Sequence, residues 1–130
     1  MADSKLPPVG TFCWTELATR DATKAKKFYT ELIGWKAVDQ QVAGMNYTML
    51  YPPGEDDPIG GIMQMDGEEW QGVPPHWMPY ILVKNVDTSV QHSTQLGGKV
   101  FVPPTNIPNI GRFSIIEDPT GAKISLFQSL

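Results

Sequence analysis

Phe12-Cys13-Trp14-Thr15-Glu16-Leu17, followed by an apolar-periodic segment from Ala22 to Ile33 and closed by Gly34-Trp35, is the stretch that decides the fold. Strand-forming residues dominate its first part, and alternation puts Phe12, Trp14 and Glu16 on one face with Cys13, Thr15 and Leu17 on the other. In its second part Ala22, Ala25, Phe28, Tyr29, Leu32 and Ile33 recur at helical steps behind Thr19 or Asp21 as a cap. Gly34 supplies the left-handed stop. The same shape returns 64 residues later: Trp14 matches Met78, Glu16 matches Tyr80, Asp21 matches Asn85, Leu32 matches Leu96 and Gly34 matches Gly98. A constant offset through strand, cap, helix and terminating glycine predicts a duplicated unit, with a site between the copies.

Working outward, residues 1–8 are polar, end in Pro7-Pro8 and form a tail. Three strand candidates follow the first helix, at 35–40, 47–51 and 59–65, separated by Gly44 and by the run Pro52-Pro53-Gly54 to Pro58. The first module, 9–65, is therefore βαβββ. Residues 66–75, with Asp66, Glu68, Glu69 and Pro74-Pro75, form a connector. The second module, 76–128, has a first strand at 76–83, a helix at 86–96 stopped by Gly97-Gly98, and strands at 99–102, 112–116 and 123–128. Val86, Val90 and Leu96 are that helix's main apolar positions, and His92, at Phe28's counterpart, is expected to pack. Pro79 inside the first strand of this module demands an edge or a bulge. Asp118-Pro119-Thr120-Gly121 is a tight turn, and the proline-rich 103–111 segment reads as a mobile rim loop.

The chain's 130 residues and 14.4 kDa fit one domain spanning 9–130. A net charge of −4 leaves no basic surface for a phosphate backbone, so nucleic acid is not an expected partner. Cys13 is the sole cysteine, which excludes an intrachain disulfide and points to a reducing, cytoplasmic setting. No apolar run approaches a membrane span, and no membrane is expected as a partner.

Three stretches together resemble the vicinal oxygen chelate superfamily of glyoxalase, bleomycin-resistance and extradiol dioxygenase proteins. They are Lys27-Phe28-Tyr29-Thr30-Glu31-Leu32-Ile33-Gly34-Trp35, Gly97-Gly98-Lys99-Val100, and Asp118-Pro119-Thr120-Gly121-Ala122-Lys123-Ile124-Ser125-Leu126-Phe127. The resemblance implies an α+β fold in which two βαβββ modules form an eight-stranded, curved, half-open barrel around a cavity, and it implies a homodimer. Metal-using members hold one divalent ion with inward His, Gln or Glu. The resemblance carries those positions to Trp14, Gln64, Met78 and Ser125. Indole nitrogen has no free lone pair and thioether sulfur is too soft for an oxygen-rich site. No metal and no other cofactor is therefore expected.

Glu16, on Trp14's face beside aromatic surface, is the candidate catalytic acid or base, its pKa expected to rise by desolvation. It can equally be a carboxylate tied up by tyrosine hydroxyls or by Arg112. Trp14, Tyr47, Gln64, His76, Met78, Tyr80, Arg112, Ser125 and Phe127 are the candidate ligand-binding residues. Cys13, facing the helix side, is read as inert. The expected function is metal-free capture of a small planar or amphipathic molecule in the cleft between the modules. The alternative is a glyoxalase-like lyase or isomerase, or a dioxygenase-like enzyme, using Glu16 acid/base chemistry or an atypical metal site from His76, Gln64 and Glu16. A third reading has a filled cavity and a role in protein association.

Overall fold

A computed structural model describes residues 6–130. Of the expected tail, residues 1–5 lie outside the described part. Contacts divide the chain into two compact units, Trp14–Trp77 and Met78–Leu130, with residues 6–13 belonging to the second.

The first module runs β1 (Phe12–Thr19), α1 (Ala22–Ile33), β2 (Lys36–Val42), β3 (Met45–Tyr51) and β4 (Gly60–Gln64). Its strand order is β2-β3-β4-β1, with β1 and β4 parallel and the other pairs antiparallel. Helix α1 begins where the sequence provides a cap: the Asp21 carboxylate accepts from the Lys24 N–H at 3.0 Å. It ends at Gly34, whose φ of 88° only glycine adopts without strain. Leu17, Leu50 and Ile62 make the core under the helix, packed against Ala22, Ala25, Tyr29, Trp35 and Ala37. Leu17 thus faces α1, and strand alternation sends Trp14 and Glu16 to the opposite face.

The apolar stripe of α1 is wider than its contact face. Phe28, Leu32 and Ile33 are solvent-exposed, because at 100° per residue Phe28 and Leu32 lie on the flank of the face set by Ala22, Ala25 and Tyr29, and Ile33 closes the helix.

The second module repeats the order with β5 (His76–Leu82), α2 (Val86–Gln95), β6 (Lys99–Ile107), β7 (Gly111–Glu117) and β8 (Lys123–Ser129). Its strand order is β5-β8-β7-β6. Asn85 caps α2 by accepting from the Thr88 N–H, and Val86, Val90 and Leu126 form the core with Ile81, Val83 and Ile116. Leu96 and His92 are exposed, so neither packs as the pattern suggested; Leu96 sits on the cap, past the last helical turn. Pro79 precedes the β5–β8 ladder, which starts at Tyr80, and so forfeits no rung of it. The Asp118 carboxylate accepts from Thr120 and Ala122 backbone N–H groups and from the Thr120 hydroxyl. Those bonds hold its pKa below the usual carboxylate value.

The expected rim loop at 103–111 is a strand for most of its length. β6 continues through Pro103-Pro104 to Ile107, absorbing them with register shifts between Val100 and Val102 and between Val102 and Thr105. Its position at the end of the module's strand order leaves one side without a ladder, which is where proline and bulges are tolerated. Only a tight turn closed by Ile110 N–H onto the Ile107 carbonyl remains, with Asn109 at φ 68°.

One device recurs in both modules. Gln64 at the end of β4 accepts from the first N–H of α1, at Ala22 (2.9 Å), and Gln128 near the end of β8 accepts from the first N–H of α2, at Val86 (2.8 Å). Both the glutamines and their partners are 64 residues apart. Each bond satisfies a helix-start donor that has no intrahelical partner. Gln64→Leu or Gln128→Leu is expected to cost about 1 kcal/mol in urea unfolding, the usual scale for losing a helix cap. An unchanged midpoint would show the bonds to be incidental.

Candidate functional site

β1 carries Trp14 and Glu16 on the face away from α1, and β3 brings Tyr47 to the same face. The three form a hydrogen-bonded chain. The Trp14 indole N–H donates to the Tyr47 oxygen at 2.9 Å, and the Tyr47 hydroxyl donates to Glu16 Oε1 at 2.8 Å. Direction matters here: indole is donor-only, so Tyr47 must pass its own proton onward, and Glu16 receives it as an acceptor. Tyr47 is buried, while Trp14 and Glu16 keep partial exposure. Of the two bland alternatives for Glu16, the tyrosine hydroxyl is the partner found.

Gly61 makes this arrangement possible. It stands opposite Glu16 in the β1–β4 register, and a Cβ at Gly61 would lie 2.2 Å from the Tyr47 ring. The ring rests where a side chain would otherwise be. The resemblance points to Gln64 for this position, three residues further along the strand. The ladders correct this: Glu16 faces Gly61 in one module as Tyr80 faces Ser125 in the other, a pairing the 64-residue offset also yields.

Gln64 caps α1. It lies opposite Thr19, its Oε1 takes the Ala22 N–H, and its Nε2 donates to the Arg20 carbonyl and, at 3.4 Å, to Asp66. Arg112 is likewise occupied. It shares the helix side of β7 with Ser114 and Ile116, binds the Asp87 carboxylate at the start of α2 through Nε (2.8 Å) and Nη2 (3.0 Å), and donates to Asn106 at 2.8 Å. That bidentate pair lowers the Asp87 pKa and raises that of Arg112, in each case chiefly through the hydrogen bond itself. His76 Nδ1 lies 2.8 Å from the Pro74 carbonyl and donates to it, which fixes the local tautomer.

In the second module Met78, Tyr80 and Phe127 are buried, with Tyr80 opposite Ser125 and Phe127 opposite both Leu82 and Phe113. Ser125 is 0% exposed and its hydroxyl donates to the Ser114 carbonyl at 3.2 Å. Cys13 is half-buried, and desolvation pushes its thiol pKa up, away from the reactive thiolate.

The residues at the family's ion-holding positions do not fit a divalent cation. Trp14 is a donor engaged with Tyr47, Met78 offers a buried thioether, Gly61 stands where Gln64 was matched, and Ser125 spends its proton on a carbonyl. The atypical set of His76, Gln64 and Glu16 loses Gln64 to the α1 cap and the His76 Nδ1 to Pro74. Among the described residues no group of three or more His, Cys, Asp or Glu is disposed to hold an ion. Among them, too, no helix is long and apolar enough to cross a membrane.

Two modules of βαβββ order define the class of fold. The chain belongs to the Glyoxalase/Bleomycin resistance protein/Dioxygenase superfamily, whose profile matches residues 11–126. It is 41% identical over 122 residues to "Putative glyoxylase CFP32" of Mycobacterium tuberculosis, covering 92% of this chain and 46% of that protein. It is 27% identical over 130 residues to the anthracycline biosynthesis protein DauV of a Streptomyces species, covering 92% and 47%. The chain thus spans under half the length of these curated relatives. Among solved structures, methylmalonyl-CoA epimerase from Mycobacterium tuberculosis superposes with a TM-score of 0.65 at 17% identity, covering 90% of this chain and 86% of the other, a likeness of fold alone.

Proposed function

We propose that this protein binds a small planar or amphipathic molecule without a metal ion, against the face of the first module formed by Trp14, Tyr47 and Glu16. The observation that carries the reading is the directed chain Trp14→Tyr47→Glu16. It holds an indole and a phenol ring beside a carboxylate. Flat aromatic surface with one anionic acceptor suits a planar ligand bearing a cationic or hydrogen-bond-donating group. A relative named for anthracycline biosynthesis is in keeping with a small-molecule ligand. The unsuitable donor set at the family's metal positions supports the metal-free part.

Titration of intrinsic tryptophan fluorescence with a panel of planar aromatic cations and their neutral analogues tests the reading. Saturable quenching by the cations is expected, weakened about tenfold or more in Glu16→Gln, the scale of one hydrogen bond to a charged group. Tyr47→Phe should weaken it less. No quenching by any compound, or quenching indifferent to Trp14→Phe and Glu16→Gln, would remove the proposal.

A second reading uses the same carboxylate as a general base. Glu16 accepts the bond from Tyr47, and a carboxylate placed as an acceptor is a group able to remove a proton. The name of the mycobacterial relative favours testing it with α-oxoaldehyde hemithioacetals, the substrates of glyoxalase chemistry. Turnover abolished by Glu16→Gln would move the protein from binder to enzyme.

A further inference from the structure

We infer a second, separate site in the first module: a recess at Arg20 that receives the carboxylate of a small monoanionic organic acid. The recess, of about 550 Å³, is lined by Arg20, Gln71, Gly72, Val73 and Pro74, and opens broadly to solvent. None of these residues belongs to the Trp14–Tyr47–Glu16 set, so the inference stands apart from the function proposed above.

The chain has two arginines, and they are treated oppositely. Arg112 is saturated by Asp87 and Asn106. Arg20 makes one bond, from Nη2 to the Trp70 carbonyl at 2.6 Å, and no carboxylate among the described residues pairs with it. The carbonyl bond anchors one corner of the guanidinium and leaves its other N–H donors unassigned. A guanidinium fork matches the two oxygens of a carboxylate. Beside it, Val73 and Pro74 offer apolar surface and Gln71 an amide. Gly72, at φ 82°, leaves open space where a side chain would project, keeping the floor clear.

Charge decides between anions. Asp66, Glu68 and Glu69 lie in the same connector and Asp21 directly follows Arg20, on a chain of net charge −4. That surround penalises a dianion such as phosphate more than a carboxylate of single charge. The site therefore selects a monocarboxylate with a short apolar body over a phosphate ester.

Amide NMR spectra of the full chain, titrated with benzoate, benzamide and inorganic phosphate, test the inference. Benzoate is expected to shift the Gly72 and Val73 amides saturably, with a dissociation constant on the order of millimolar for a solvent-open ion pair. Arg20→Gln should weaken it about tenfold and Arg20→Lys several-fold, since lysine keeps the charge and loses the fork. Unchanged signals from residues remote from Arg20 establish that each variant is folded. Shifts produced equally by benzamide, tighter binding of phosphate than of benzoate, benzoate shifts unaltered in Arg20→Gln, or no saturation would each overturn it. Benzoate shifts confined to Trp14, Tyr47 and Glu16 would overturn it while leaving the proposed function standing. Saturable benzoate binding lost in Arg20→Gln, with no quenching by any aromatic cation in the unaltered protein, would do the reverse.

Discussion

Leu50→Ala is expected to lower the unfolding free energy by roughly 2–5 kcal/mol, the range for truncating a fully enclosed leucine. Leu50 is 1% exposed, stands next to the last residue of β3, and packs with Leu17 and Ile62 beneath α1. Leu50 itself is in register with Ala37 on one side and Gly60 on the other, so the sheet cannot collapse into the cavity left behind. Leu32 makes the contrast. It lies in the same helical stripe by sequence but is 66% exposed, and Leu32→Ala should change stability by less than about 0.5 kcal/mol. Urea unfolding followed by circular dichroism distinguishes the two. A Leu32→Ala cost matching that of Leu50→Ala would mean that α1 packs through a different face.

The second large effect falls on neighbouring glycines that fail for different reasons. A Cβ at Gly60 would lie 2.3 Å from the Thr15 carbonyl oxygen, a backbone atom held in the β1–β4 ladder. No rotamer relieves that, so Gly60→Ala should cost on the order of 3 kcal/mol, at the upper end for overpacking. A Cβ at Gly61 meets the Tyr47 ring, which can swing aside. Gly61→Ala should therefore cost less stability but break the bond from Tyr47 to Glu16. In a Tyr47→Ala background most of the Gly61→Ala penalty should vanish, whereas the Gly60→Ala penalty should persist. Equal penalties in both backgrounds would contradict the placement of the Tyr47 ring.

The parts of the fold that sequence revealed are those fixed by local chemistry. The limits of α1 follow from a carboxylate that can bond an N–H three residues on, and from a glycine able to take positive φ; both are visible in Asp21 and Gly34. The face shared by Trp14 and Glu16 follows from alternation alone. What sequence left hidden depends on register. Matching Ser125 to Gln64 rather than Gly61 is a slip of three residues, which the strand ladders reveal. The signal was nonetheless present, since Gln64 and Gln128 obey the offset that relates Trp14 to Met78. Arg112 shows the same dependence: its side of β7 turns on where the strand begins, and with that start fixed it meets Asp87, a long-range partner no local pattern names. The continuation of β6 through Pro103-Pro104 was hidden for another reason. Proline content argues for a loop, and only the strand's place at the end of its module's order makes a bulged strand acceptable.

The metal-free binding proposed above follows from side chains at Trp14, Gly61, Met78 and Ser125 that do not suit a divalent ion. Isothermal titration of the metal-stripped protein with Mn²⁺ and with Zn²⁺ addresses it most directly, read beside fluorescence binding of an aromatic cation before and after stripping. The account predicts no stoichiometric, submicromolar uptake of either ion and unchanged ligand binding after stripping. One ion bound tightly per chain, with ligand binding lost on its removal and restored on its return, would contradict it.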